Sequence, residues 1–165
     1  MNNKTKRLTL LSLLVAIAMI LSYIESLVPP LVAVPGIKLG LSNIATLLTL
    51  YTLGAPFAIL VSFVRILLSA LLFGNAMSLI YSLFGAGFAL ITMIALKRLS
   101  IFSEVGVSVA GGVMHNAGQI LACILVMENV GLSSFLPPLV VSGVIAGVAV
   151  GVVSALLIKK TRRFL

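Results

Sequence analysis

The sequence predicts an all-α membrane protein, a single bundle of six transmembrane helices with no soluble domain. Three observations predict it. Hydrophobic residues make up 61% of the 165 and charged ones only 8%, with a mean hydropathy of +1.31, far too little charge to cover a domain in water. Apolar runs recur along the whole chain, each close to the ~20 residues that cross a ~30 Å hydrocarbon layer as a helix. Nine of the eleven Lys and Arg residues lie in three clusters that flank those runs: Lys4, Lys6 and Arg7; Lys97 and Arg98; Lys159, Lys160, Arg162 and Arg163.

The first span is predicted over residues 8–28. Its basic prefix resembles a signal peptide, with Ala16-Ile17-Ala18 at suggestive spacing. The apolar run continues well beyond that point and reads as an uncleaved span. Pro29, Pro30 and Pro35-Gly36 then break helical geometry. The second span, 35–53, has its best helical part from about Leu41. Gly54-Ala55-Pro56 makes a tight uncharged turn into the third, 55–73. Gly74-Asn75-Ala76 leads to the fourth, 77–96, which ends on Lys97-Arg98. Glu104 and Val105 open the fifth, 105–127, and Glu128 to Gly131 turn the chain. Pro137 or Pro138 starts the sixth, 137–158.

Six passes return both termini to one side and place all three basic clusters on the cytoplasmic face, as the positive-inside bias requires. Five or seven would set the basic C-terminus opposite the basic N-terminus. Tyr23, Tyr51 and Tyr81 fall near predicted span ends, where amphipathic rings favour the headgroups. The sequence has no internal repeat of the kind that marks inverted-repeat transporters. The formal charge of +8 does not point to nucleic acid, because the basic residues bracket apolar segments instead of forming a phosphate-tracking stripe.

Polar residues at depth carry the functional reading. Arg65 lies near the middle of the third span, with Ser62 and Ser69 on its face. A charge there costs about 2.5–3.5 kcal/mol on insertion scales, so it must face the bundle interior or water. On the fifth span His115, Asn116 and Gln119 cluster, His115 and Gln119 one turn apart. At ~1.5 Å per residue, Arg65 and Gln119 both lie about 12 Å below the outer surface. Asn43, Asn75 and Tyr81 can join them, and the apolar, Pro-rich loop from Pro29 to Gly40 brings Lys38 as part of a lid. A second helix starting near Leu41 or Ser42 would begin below the surface, its positive dipole end favouring an anionic group. Together these residues predict an outward-facing pocket for a small molecule.

Each has a competing structural reading. Arg65 can bridge to Glu25 or Glu128, His115 can be a satisfied packing histidine, and Lys38 an interfacial anchor. Asn75 can be a turn residue, and Tyr81 part of the aromatic belt.

Catalysis finds few parts. The chain has no Asp, only three acidic residues, one His and one Cys, so no metal site or other cofactor is expected and Cys123 reads as a small core residue. No Gly-Lys-Ser/Thr phosphate loop is present. Gly143, Gly147, Gly151 and Ala155 make a small-residue stripe on the sixth span, read as internal packing. Ser12 and Ala16 make a shorter patch on the first, open to either internal packing or docking of a partner helix.

The segments Pro35 to Asn43 (PGIKLGLSN), Phe63-Val64-Arg65, Leu72 to Asn75 (LFGN), Tyr81-Ser82-Leu83 and His115 to Gln119 (HNAGQ) together resemble the bacterial Gx transporter family. Its members are often labelled heptaprenyl diphosphate synthase component I. The resemblance implies a six-helix bundle similar to the S components of energy-coupling factor (ECF) transporters, in the bacterial cell membrane. Such subunits bind a vitamin or related small molecule from outside and dock on a transmembrane subunit powered by two ATPases. They commonly dock through an Ala-xxx-Ala patch on the first helix, where this chain has Ser12 and Ala16. Prenyl diphosphate synthases resemble one another in Asp-rich motifs, and a chain without Asp supplies none. The alternative role is a non-catalytic membrane anchor for isoprenoid or quinone enzymes.

Overall fold

The computed structural model describes residues 3–27 and 40–161. Among them the regular elements are helices: α1 (Asn3–Leu27), α2 (Asn43–Thr52), α3 (Ala55–Phe73), α4 (Ala76–Leu99), α5 (Glu104–Met127) and α6 (Leu136–Thr161), with a 3-10 turn at Val130–Phe135. Lys38, most of the expected lid, Arg162 and Arg163 lie outside the described residues.

Five of these helices, all but α2, are long and apolar enough to cross a bilayer. Their outward faces carry large apolar side chains, with Leu71 81%, Ile91 70% and Ile145 67% exposed. Such a surface fits lipid and not water. The chain is a multi-pass membrane protein.

Helix α2 lies within the expected second span of 35–53, close to the expected start of its helical part at Leu41; residues 35–39 lie outside the described residues. It has 10 residues, or about 15 Å at ~1.5 Å per residue, half of the hydrocarbon thickness. The reason lies just before it. Gly40 has φ +87°, a conformation that glycine tolerates and a right-handed helix excludes. Leu41 and Ser42 then form one turn, in which Asn43 N–H donates to Gly40 O at 2.9 Å. At its other end α2 stops against Gly54, φ +96°, which precedes Pro56 in the first turn of α3.

The helix ends sort into two groups. Leu10, Leu11 and Leu14 of α1 share an apolar cluster with Leu53 after α2 and Ile158 near the end of α6. Lys97 at the end of α4 reaches Leu50 in α2. The basic residues Lys4, Arg7, Lys97, Arg98, Lys159 and Lys160 are thus gathered toward one end of the bundle. Toward the other end, Tyr23 of α1 meets Phe73 of α3 edge to face, ring centres 5.5 Å apart.

Helix α5 packs between α4 and α6 at backbone distance. A β-carbon added at Gly112 would lie 2.5 Å from Gly143 O, at Gly147 2.6 Å from Val109 Cα, and at Gly151 2.8 Å from Val105 Cα. The stripe on α6 is spent on this contact, where van der Waals packing replaces the hydrophobic drive that lipid cannot supply. On the α4 side, Gly118 sits against Phe84 O in the same way, at 2.7 Å.

Candidate ligand-binding site

The short helix α2 positions the site. Two of its first N–H groups are met locally, Asn43 N–H donating to Gly40 O and Ile44 N–H to Leu41 O. Glu25 of α1 serves the turn just before it. Its Oε1 accepts from Gly40 N–H and, at 3.3 Å, from Leu41 N–H, a carboxylate near the positive end of a helix dipole. Glu25 is only 5% exposed.

Arg65 of α3 is 2% exposed, and Glu25 lies near enough for its charge to act on the guanidinium. Ser62 and Ser69 are buried on the same face of α3. Ser69 Oγ donates back to the backbone O of Arg65 at 2.5 Å. The guanidinium Nε and Nη2 have no hydrogen-bond acceptor among the described residues.

On the other side of Gly40 stand Asn43 and His115. A β-carbon at Gly40 would lie 2.8 Å from Asn43 Nδ2 and 3.5 Å from His115 Cδ2. His115 also presses against α4, where a β-carbon at Gly85 would meet its Cε1 at 3.0 Å and Gln119 Cγ at 2.8 Å. Gln119 is fully buried. Gly40 is therefore a joint where Glu25, bound to its N–H, meets Asn43 and His115; Arg65 lies within reach of the Glu25 charge, and Gln119 stands one turn along α5 from His115.

The remaining sequence-predicted residues go elsewhere. Asn116 turns away from His115 and donates from Nδ2 to Leu139 O at 2.7 Å and Ser142 Oγ at 3.1 Å, tying α5 to α6. Asn75 is exposed and caps α4, its Oδ1 accepting from Ser78 N–H at 2.8 Å. Tyr81 is fully buried in a cluster with Ile120, Cys123 and Leu139, in the core and not in a headgroup belt. Ser12 and Ala16 are both exposed on the outer face of α1. Lys38 lies outside the described residues.

Two contributors were not singled out from the sequence. Glu25 entered only as a possible mate for Arg65, and Gly85 not at all. A glycine inside an apolar helix is the available signal for close approach, but the chain has 14 glycines and nothing local distinguishes this one.

The family model described as heptaprenyl diphosphate synthase component I matches residues 14–157. The chain belongs to that family. The match takes in α2 to α5 whole and every site residue named above except Ser12. Among solved structures, the S component of a bacterial ECF transporter aligns with this member of the component I family at a TM-score of 0.71 and 22% identity, covering 98% of each chain. The component I chain therefore has the S-component fold. No curated protein matches it.

Proposed function

We propose that this chain is the substrate-binding S component of an ECF-type importer, in a bacterial cell membrane. It takes a small molecule at the joint formed by Glu25, Gly40, Asn43, Arg65, His115 and Gln119. The observation that carries the reading is the burial of two charges and three polar side chains around the half-depth start of α2. Side chains of this kind are costly in lipid and are kept where they serve a substrate. The fold shared with an S component across 98% of the chain supports the same role.

The chain makes six passes in all, with α2 belonging to the second. Both termini are cytoplasmic, in keeping with the basic residues gathered at one end. The binding site then opens to the outside. The exposed pair Ser12 and Ala16 faces a transmembrane partner subunit, which two ATPases drive. The chain itself performs no prenyl transfer.

Co-expression with the ECF transmembrane subunit of the same organism tests this. A stable complex is expected, and Ala16→Leu is expected to weaken it while leaving the isolated chain folded. Co-purification with a soluble prenyltransferase, and none with the ECF subunit, would contradict the reading and favour an anchor.

A further inference from the structure

We infer that the seam beside Gly40 holds one resident water molecule, shared by the side chains of Asn43 and Ser108, which ties the start of α2 to α5. Such a water belongs to the fold itself, whether or not a ligand binds nearby.

A cavity of about 10 Å³ lies where the start of α2 meets α4, α5 and α6, the room that a single water needs. Its walls include Gly40, Asn43, Met93, Ser108, Gly112 and Gly147. The glycines make it. Gly112 and Gly147 bring the backbones of α5 and α6 together, and with no side chain on either, or on Gly40, the gap beside Asn43 is left unfilled. Met93 spends its bulk elsewhere, its Cγ 2.7 Å from where a β-carbon on Gly111 would lie.

Two of the walls are polar side chains. Asn43 donates its backbone N–H to Gly40 O at 2.9 Å, but its side-chain amide makes no hydrogen bond among the described residues, and neither does the Ser108 hydroxyl. Both residues are buried, and a buried polar group without a partner is unfavourable. In a cavity this small one water lies within reach of both. Water donates and accepts, so it serves an amide and a hydroxyl whichever way each is turned. Cavities that stay dry have apolar walls, and this one does not. A metal cation is a poor match, because hard cations gather about six or more oxygens and no carboxylate lines the cavity.

Hydroxyl-radical footprinting of the full chain in detergent tests the site through Met93. It is buried and lines the cavity, so a radical formed from the resident water converts its thioether to the sulfoxide. Cys123, buried in an apolar cluster, is the dry reference. Met93 is expected to be oxidised at least threefold faster than Cys123. Ser108→Val, which fills the cavity and removes one partner, is expected to bring Met93 down to the Cys123 rate. Oxidation no faster than that of Cys123 in wild type, or unchanged in the folded variant, overturns the site. Where Ser108→Val does not fold, a double-mutant cycle decides. Asn43→Leu and Ser108→Ala should each lower Tm, and the double variant by no more than the larger single loss, since both partners of the water are then gone. Losses that add in full overturn the shared water. High-resolution crystals of the wild-type chain give the direct answer. One isolated density peak about 2.7–3.2 Å from both side chains supports the inference, and either no peak or part of a larger bound molecule at that place overturns it.

Discussion

Lys97, in the last turn of α4, donates from Nζ to the carbonyl oxygen of Leu50 at 2.6 Å, with its ammonium 5.0 Å from the centre of the Tyr51 ring. Glu25 meets the turn that leads into the opposite end of the same helix. The ten residues of α2 are thus held between a carboxylate at the N-terminal end and an ammonium at the C-terminal end, the sense that a helix dipole favours. Lys97 belongs to a basic flank by sequence. In the fold it also ties the C-terminal end of α2 to α4.

Lys97→Met is expected to release the C-terminal end of α2. Removing a charged donor of this kind costs about 1.5–3 kcal/mol. Faster amide hydrogen exchange should appear in α2 while α5 and α6 stay protected, and Lys97→Arg should restore most of the protection. Uniform loss of protection across the bundle would show a general folding defect instead.

Gly85→Val would drive a side chain into Gln119 and His115, which a β-carbon at Gly85 already meets at 2.8 and 3.0 Å. Overpacking of this sort costs roughly 1–3 kcal/mol. A larger loss of ligand retention than of melting temperature is expected, because the displaced groups belong to the site. Retention and stability falling in proportion would mark Gly85 as packing alone.

Two glycines should respond in opposite ways. Gly147→Leu would collide with Val109 Cα, 2.6 Å from a β-carbon at that position, and is expected to lower stability by about 1–3 kcal/mol or more. Gly87→Ala meets nothing within 4 Å and is expected to stabilise α4 by up to about 1 kcal/mol from helix propensity. Melting curves in one detergent check both.

Asn116→Leu separates the polar residues of α5 by role. It removes the bonds to Leu139 O and Ser142 Oγ, worth about 0.6–1.7 kcal/mol in a membrane bundle. Lower thermal stability is expected, with ligand retained at saturating concentration. Abolished retention in a fully folded variant would return Asn116 to the site.

Much of this was legible from local signals. The bounds of α3 agree with the predicted 55–73 because Gly54, Pro56 and Gly74 mark them. The inward burial of Arg65, His115 and Gln119 follows from their polarity inside apolar runs. The start of α2, expected near Leu41 or Ser42, falls at Asn43, just after the positive φ of Gly40. What escaped depends on distant neighbours. Asn116 and His115 are adjacent in sequence, and which helix covers each is decided by packing against α6 and α4. Glu25 reads as an acid at a span end, and becomes buried only because the start of α2 folds back onto it.

Arg65 and Gln119 bear the central claim, that the joint around Gly40 holds a small molecule. Mass spectrometry of compounds released from wild type, Arg65→Ala and Gln119→Ala, each shown to melt cooperatively, tests it most directly. A defined compound released from wild type and missing from both folded variants is the predicted result. The same compound released in equal amount from all three would contradict the account.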